Sequence, residues 1–168
     1  MTDTLPAAAD RFDALFSRFY PELYGLAYRV VGERMASEDI VQEAFLKLAD
    51  DADVQARPDV EVGAWLRRVV LNLAFNRVRG ERRAQARLEK VGRLEGNDTT
   101  ESPAALLLRV EEQAEVRRAL AEVAERQREC LLLRHSGYSY AEIAVTLGIA
   151  TGSVGVLLAR AEQAFRTS

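Results

Sequence analysis

Apolar residues recur at steps of three and four along almost the whole chain, and nowhere do they alternate for long enough to build a sheet. That spacing gives each of a series of helices one apolar stripe, which must be buried against its neighbours. Composition agrees. Only four prolines and ten glycines punctuate 168 residues dominated by Ala, Leu, Glu and Arg, types at home in helices. The fold class is therefore all-α, with enough chain for one ordinary domain or two small ones.

The first stripe is Phe12, Leu15, Phe16 and Phe19. Pro21 interrupts it, so the sequence predicts a break and a fresh helix with Pro21 in its first turn. That helix carries Leu23, Leu26, Ala27 and Val30 to a stop at Gly32. Ser37 can cap the next helix, with Glu38 and Asp39 set favourably against the dipole. Its buried face is Ile40, Val41, Ala44, Phe45 and Leu48, leaving Asp39, Gln42, Glu43 and Leu46 outward. Residues 50–60, acidic and holding Pro58, read as a loop. From Glu61 to about Arg83 a long helix turns Trp65, Leu66, Val69, Val70 and Leu73 to the core. Its other side aligns Arg68, Asn72, Asn76, Arg79 and Arg83.

Between Ala84 and Ser102 the periodicity fades into charges, Gly92, Gly96 and the run Asn97-Asp98-Thr99-Thr100, which reads as a linker. Ser102-Pro103 suits the start of a helix reaching about Val123. The rhythm then shortens: a helix over 126–135, a turn at Ser136-Gly137, and a helix closed by Gly148. Ser139 and Glu142 have capping-box spacing there, with Tyr138 and Ile143 as the staple. A last helix from near Thr151 buries Val154, Leu157, Leu158, Ala161 and Phe165. Two short helices joined by a tight turn read as a helix-turn-helix, whose second helix enters the DNA major groove. Its outward positions are Ser153, Val156, Arg160 and Gln163, flanked by Thr151. The expected organisation is a helical bundle over 10–84, a flexible linker over 85–104 and a helix-turn-helix domain over 105–168.

A net charge of −3 and a pI near 5.4 argue against coating nucleic acid by bulk charge. The charge is uneven, though: Asp50 to Asp59 is acidic and Arg67 to Arg87 strongly basic, which suits DNA at one face and a protein elsewhere. A single cysteine, Cys130, excludes an internal disulfide framework and fits a reducing cytoplasm. It lies in an apolar run with Leu131, Leu132 and Leu133 and reads as core. Cys130 and His135 stand too far apart around one helix to form a pair. The sequence holds no metal-ligand cluster, P-loop or glycine-rich cofactor loop. Neither an active site nor a cofactor is expected. The start from Met1 to Asp10 lacks a signal-peptide pattern, and no apolar run reaches the roughly 18 residues of a membrane span. The expectation is a soluble, cytoplasmic chain without membrane insertion of its own.

The segment from Arg126-Gln127-Arg128-Glu129 through Tyr138-Ser139-Tyr140-Ala141-Glu142-Ile143-Ala144 to Leu147-Gly148-Ile149 resembles the fourth conserved region of bacterial RNA polymerase sigma factors. Leu23 to Arg29, Ser37 to Leu48 and Ala64 to Ala74 resemble the second region of the same family, in its extracytoplasmic-function (ECF) branch. The resemblance implies a specificity subunit that binds core RNA polymerase and directs initiation at −10 and −35 promoter elements. It lays polymerase docking on Asp39, Gln42, Glu43 and Leu46. The −10 element falls to Arg68, Asn72, Asn76, Arg79 and Arg83, Arg for phosphates and Asn for base edges. The −35 element falls to Arg126, Arg128, Thr151, Ser153, Val156, Arg160 and Gln163. An anti-sigma factor is the further partner implied.

Two departures stand out. The family's recognition helix carries Lys and Arg where this chain has Gly155 and Leu157, and the loop of residues 50–62 holds no aromatic to stack on a flipped base. The depleted helix leaves open an alternative, a sigma mimic that sequesters an anti-sigma factor without reading promoters. Trp65, on the stripe with Val69 and Leu73, reads as core rather than as a melting wedge.

Overall fold

The computed structural model describes residues 4–91 and 124–167, and within them every regular element is helical. The N-terminal unit comprises α1 (Thr4–Val31), α2 (Arg34–Ala49), the single turn α3 (Ala52–Gln55) and α4 (Asp59–Val91). The C-terminal unit comprises α5 (Glu125–His135), α6 (Tyr140–Leu147) and α7 (Thr151–Thr167). The helix expected from Ser102-Pro103 to about Val123, and residues 92–104 of the expected linker, lie outside the described residues.

α1 runs without interruption past Pro21, contrary to the expected break. An interior proline costs a helix about 3 kcal/mol, but Leu15, Phe19, Leu23 and Leu26 form one buried stripe on both sides of it. Pro21 itself is on the exposed side of the helix. Burial of the stripe outweighs the local preference. Of the first expected stripe, Leu15 and Phe19 are buried, Phe12 is half-buried and Phe16 is 38% exposed. Phe12, Phe16 and Tyr20 gather instead around Phe45 of α2.

α2 begins four residues earlier than expected, with Glu33 in the extended N-cap position. Ser37 is therefore no cap. Its hydroxyl donates to the Glu33 carbonyl at 2.6 Å, inside the first turn, and the residue is fully buried. The predicted buried face of Ile40, Val41, Ala44, Phe45 and Leu48 is the observed one.

Residues 50–60 are more ordered than a plain loop. The Asp51 carboxylate accepts from the Val54 amide to start α3, and Arg11 donates to the carbonyls of Gln55 and Arg57. Arg11 and Arg18 both reach Asp59, the first residue of α4. α4 then crosses α1 closely at Gly63, where an added Cβ would stand 2.8 Å from the Phe19 ring.

The core of α4 is rotated from expectation. Val62, Leu66, Val70, Leu71, Ala74 and Phe75 are buried, whereas Trp65, Val69 and Leu73 are half-buried at the edge. α4 thus has apolar surface on two sides, one for α1 and α2, the other for the C-terminal unit. It also continues to Val91, so the first residues assigned to the linker, 85–91, are helical.

The C-terminal unit follows its local signals closely. Ser139 caps α6 with the full capping box: its hydroxyl accepts from the Glu142 amide and Glu142 accepts from the Ser139 amide. Gly148 closes α6 in the left-handed conformation at φ +66°. Cys130, Leu133, Ile143, Leu147, Val154 and Ala161 form the centre. Phe165, expected inside, is 40% exposed, and Leu157 is half-buried.

Candidate nucleic-acid and protein interfaces

Because Ile40, Val41, Ala44, Phe45 and Leu48 pin one side of α2 into the bundle, the helix repeat turns Asp39, Gln42, Glu43 and Leu46 outward together. All four are exposed, Leu46 by 67%. An exposed leucine ringed by two carboxylates and an amide is a small apolar anchor with a polar rim.

On α4 the stripe Arg68, Asn72, Asn76, Arg79 and Arg83 is likewise exposed along its length. Arg79 donates to the Asn76 side-chain oxygen at 2.6 Å, and Arg77 pairs with Glu81 at 3.5 Å. From Arg79 to Glu89 every residue is exposed, so the basic end of α4 projects beyond the body of the bundle.

The N-terminus of α7 presents Thr151, Gly152 and Ser153, with Val156, Arg160 and Gln163 following outward at helical steps. Val156 is 51% exposed. Gly155 lies over Tyr140 of α6; a Cβ built there would be 3.7 Å from that ring, an ordinary contact. The glycine is therefore not required by packing.

Arg126 and Arg128 do not join that row. Arg126 donates to the Leu147 carbonyl at the end of α6 and stands 3.6 Å from Glu129. The Arg128 guanidinium lies over the Phe75 ring of α4 at 5.0 Å, where burial lowers its pKa. Burial likewise pushes the Glu129 carboxyl above its ordinary value, Arg126 offsetting only part of the effect.

Sequence reasoning missed one group altogether. Arg67 is 4% exposed; its Nε donates to the Thr146 hydroxyl of α6 at 2.9 Å and its guanidinium packs on Tyr138. The signal was present as an i, i+4 series, Gly63, Arg67, Leu71 and Phe75, in which a cation occupies an otherwise apolar row.

Among the described residues no group of His, Cys, Asp and Glu could hold a metal ion, and no single helix is long and apolar enough to cross a membrane.

Two family models match this chain, one over each helical unit. Residues 15–84 match Sigma-70 region 2 and residues 113–165 match Sigma-70 region 4. Among curated relatives, RNA polymerase sigma-H factor of Pseudomonas aeruginosa is 32% identical over 91% of this chain and 83% of its own length. The ECF RNA polymerase sigma factor SigM of Mycobacterium tuberculosis is 32% identical, over 92% of this chain and 76% of its own. The chain belongs to the ECF branch of the sigma-70 family. The sigma fold is seen again in RpoE of Bartonella quintana, solved with the anti-sigma factor NepR. The TM-score is 0.57 and the identity 21%, over 93% of this chain and 94% of that one. This sigma factor thus carries a match to region 2 followed by a match to region 4.

Proposed function

We propose that this sigma factor docks on core RNA polymerase through Asp39, Gln42, Glu43 and Leu46 and directs promoter recognition through α4 and α7. The observation that carries the reading is the pairing, on one bundle, of an outward polar face on α2 with an outward Arg and Asn stripe on α4. Arg side chains on such a stripe neutralise phosphates, and Asn72 and Asn76 offer amides to base edges. α7 contributes Thr151, Ser153, Val156, Arg160 and Gln163 toward the −35 element, with Val156 suited to a thymine methyl. Arg126, held at the end of α6, and Arg128, over Phe75 of α4, are the further residues assigned to that element. An anti-sigma factor is the further partner proposed; RpoE of Bartonella quintana was solved in complex with one.

The test is capture of core polymerase by the full chain carrying Asp39→Lys, Gln42→Lys and Glu43→Lys. These exposed positions can change without opening a cavity. Loss of capture with an unchanged circular dichroism spectrum is expected; retained capture removes the docking assignment.

A further inference from the structure

Between the basic end of α4 and the start of α5 lies a cleft of about 150 Å³, lined by Phe75, Val78, Arg79, Arg82, Glu125 and Arg128. A smaller recess of about 30 Å³ shares Phe75, Val78, Arg82 and Arg128 and adds Arg29 of α1. Four guanidiniums from three helices thus meet one carboxylate over an apolar floor.

Arg128 forms one wall, its guanidinium 5.0 Å from the centre of the Phe75 ring. Burial disfavours its charge, and Arg82 and Arg79 add to that effect, which Glu125 offsets only in part. Glu129, the other carboxylate near it, stands 3.6 Å from Arg126. Arg79 reaches Glu125 at 3.9 Å with both side chains half exposed, a pair worth little in water. Its bond to the Asn76 amide neutralises no charge. Among the described residues Arg29 and Arg82 make no ion pair.

Gathered guanidiniums repel one another, and the fold supplies too little counter-charge to offset it. Phosphate oxygens answer that need best, because the planar fork of arginine donates to them two bonds at a time. The cleft is smaller than the roughly 300–1,000 Å³ of drug-sized ligand sites, so it suits a compact anion.

We propose that this cleft binds a diphosphate anion, free or as the phosphate chain of a nucleotide, between Arg79 and Arg82 of α4, Arg128 of α5 and Arg29 of α1. Arg82 and Arg29 bring donors not engaged elsewhere, and Arg79 exchanges Glu125 for the ligand. The site requires neither promoter nor polymerase.

Isothermal titration of the full chain with inorganic pyrophosphate, and separately with ADP, tests it at constant ionic strength. Saturable binding is expected. Arg82→Gln changes an exposed side chain and should weaken it about tenfold. Arg29→Gln should weaken it less, and Arg87→Gln, exposed on α4 outside the cleft, should leave it unchanged. Tighter binding of ADP than of pyrophosphate makes the ligand a nucleotide; the reverse makes it the free anion. No saturable binding overturns the proposal, as does an equal loss in Arg87→Gln, which would reduce the effect to the general charge of α4. A short DNA duplex is the third arm. If it displaces pyrophosphate and its own affinity falls equally with Arg29→Gln, the cleft is a DNA backbone contact and the diffusible anion is excluded.

Discussion

In the N-terminal unit Leu23, Leu26, Ala27 and Leu48 are wholly enclosed among helices of up to 33 residues, one of them carrying an internal proline. The C-terminal unit closes around Cys130, Leu133, Ile143 and Val154 with helices of 11, 8 and 17 residues, and its shortest is held by a complete capping box and a left-handed glycine. Long helices can override unfavourable residues because each added turn buries more stripe. Short ones gain too little from any single turn and depend on their ends being satisfied. The two units also differ in charge. α4 holds arginines along most of its exposed length, whereas α7 offers only Arg160 and Arg166.

The contrast can be broken first at the core. Leu66→Ala empties a fully buried site on α4, and such truncations cost about 2–5 kcal/mol. Urea unfolding followed by circular dichroism should show the N-terminal unit melting ahead of the C-terminal one; coincident transitions would mean that the units unfold as one body. Next comes the charge asymmetry. Removing Arg79 and Arg83 should lower the salt slope of holoenzyme binding to one promoter by about two units, one for each phosphate contact. Removing Arg160 and Arg166 should lower it by less, and the reverse order would make α7 the principal DNA contact.

Smaller effects sharpen the dependence on caps. Ser139→Ala breaks the capping box and should cost about 1 kcal/mol, read as a lower thermal midpoint of the C-terminal unit. Gly155→Ala should raise that midpoint, gaining up to about 1 kcal/mol, because the new methyl meets Tyr140 at ordinary contact distance.

The smallest effect is in the pH dependence. Hydrogen bonds from Ser139 lower the Glu142 pKa, so its contribution is present above the ordinary carboxylate value and lost as pH falls through the folded one. Glu129 has the opposite sign. Burial raises its pKa, so its ionised form weakens the fold as pH rises through the folded value. Glu129→Gln should therefore stabilise the chain at neutral pH and make no difference well below pH 4.5, the ordinary value. A gain independent of pH would show that packing, not charge, is what the substitution relieves.

Much of this was legible in the sequence, and the failures have physical causes. The caps at Ser139 and Gly148 and the buried face of α2 from Ile40 to Leu48 follow from spacing alone, because both are decided within a few residues. Pro21 was misread because its penalty is local, whereas the stripe that overrides it spans α1 and is buried by α2 and α4. Arg67 was passed over because it was read among its basic neighbours. Its apolar row has meaning only once Thr146 and Tyr138, some seventy residues later, are brought against it. The exposed face of α2 was found by periodicity, but its polymerase assignment came only from the family resemblance.

The covalent connection from Val91 to Ala124 changes what the contacts of Arg67 with Thr146 and Tyr138 must supply. Docking of the two units is unimolecular, so the relevant comparison is with an effective concentration, which reaches millimolar for short tethers. The hydrogen bonds of Arg67 and Arg68 to Thr146, the Tyr138 ring face and the Arg79–Glu125 pair can then hold the units together without amounting to an interface that would form between separate chains. Dilution does not part them. Cutting the backbone between Val91 and Ala124 is expected to release the units, because the same contacts then become a bimolecular pairing.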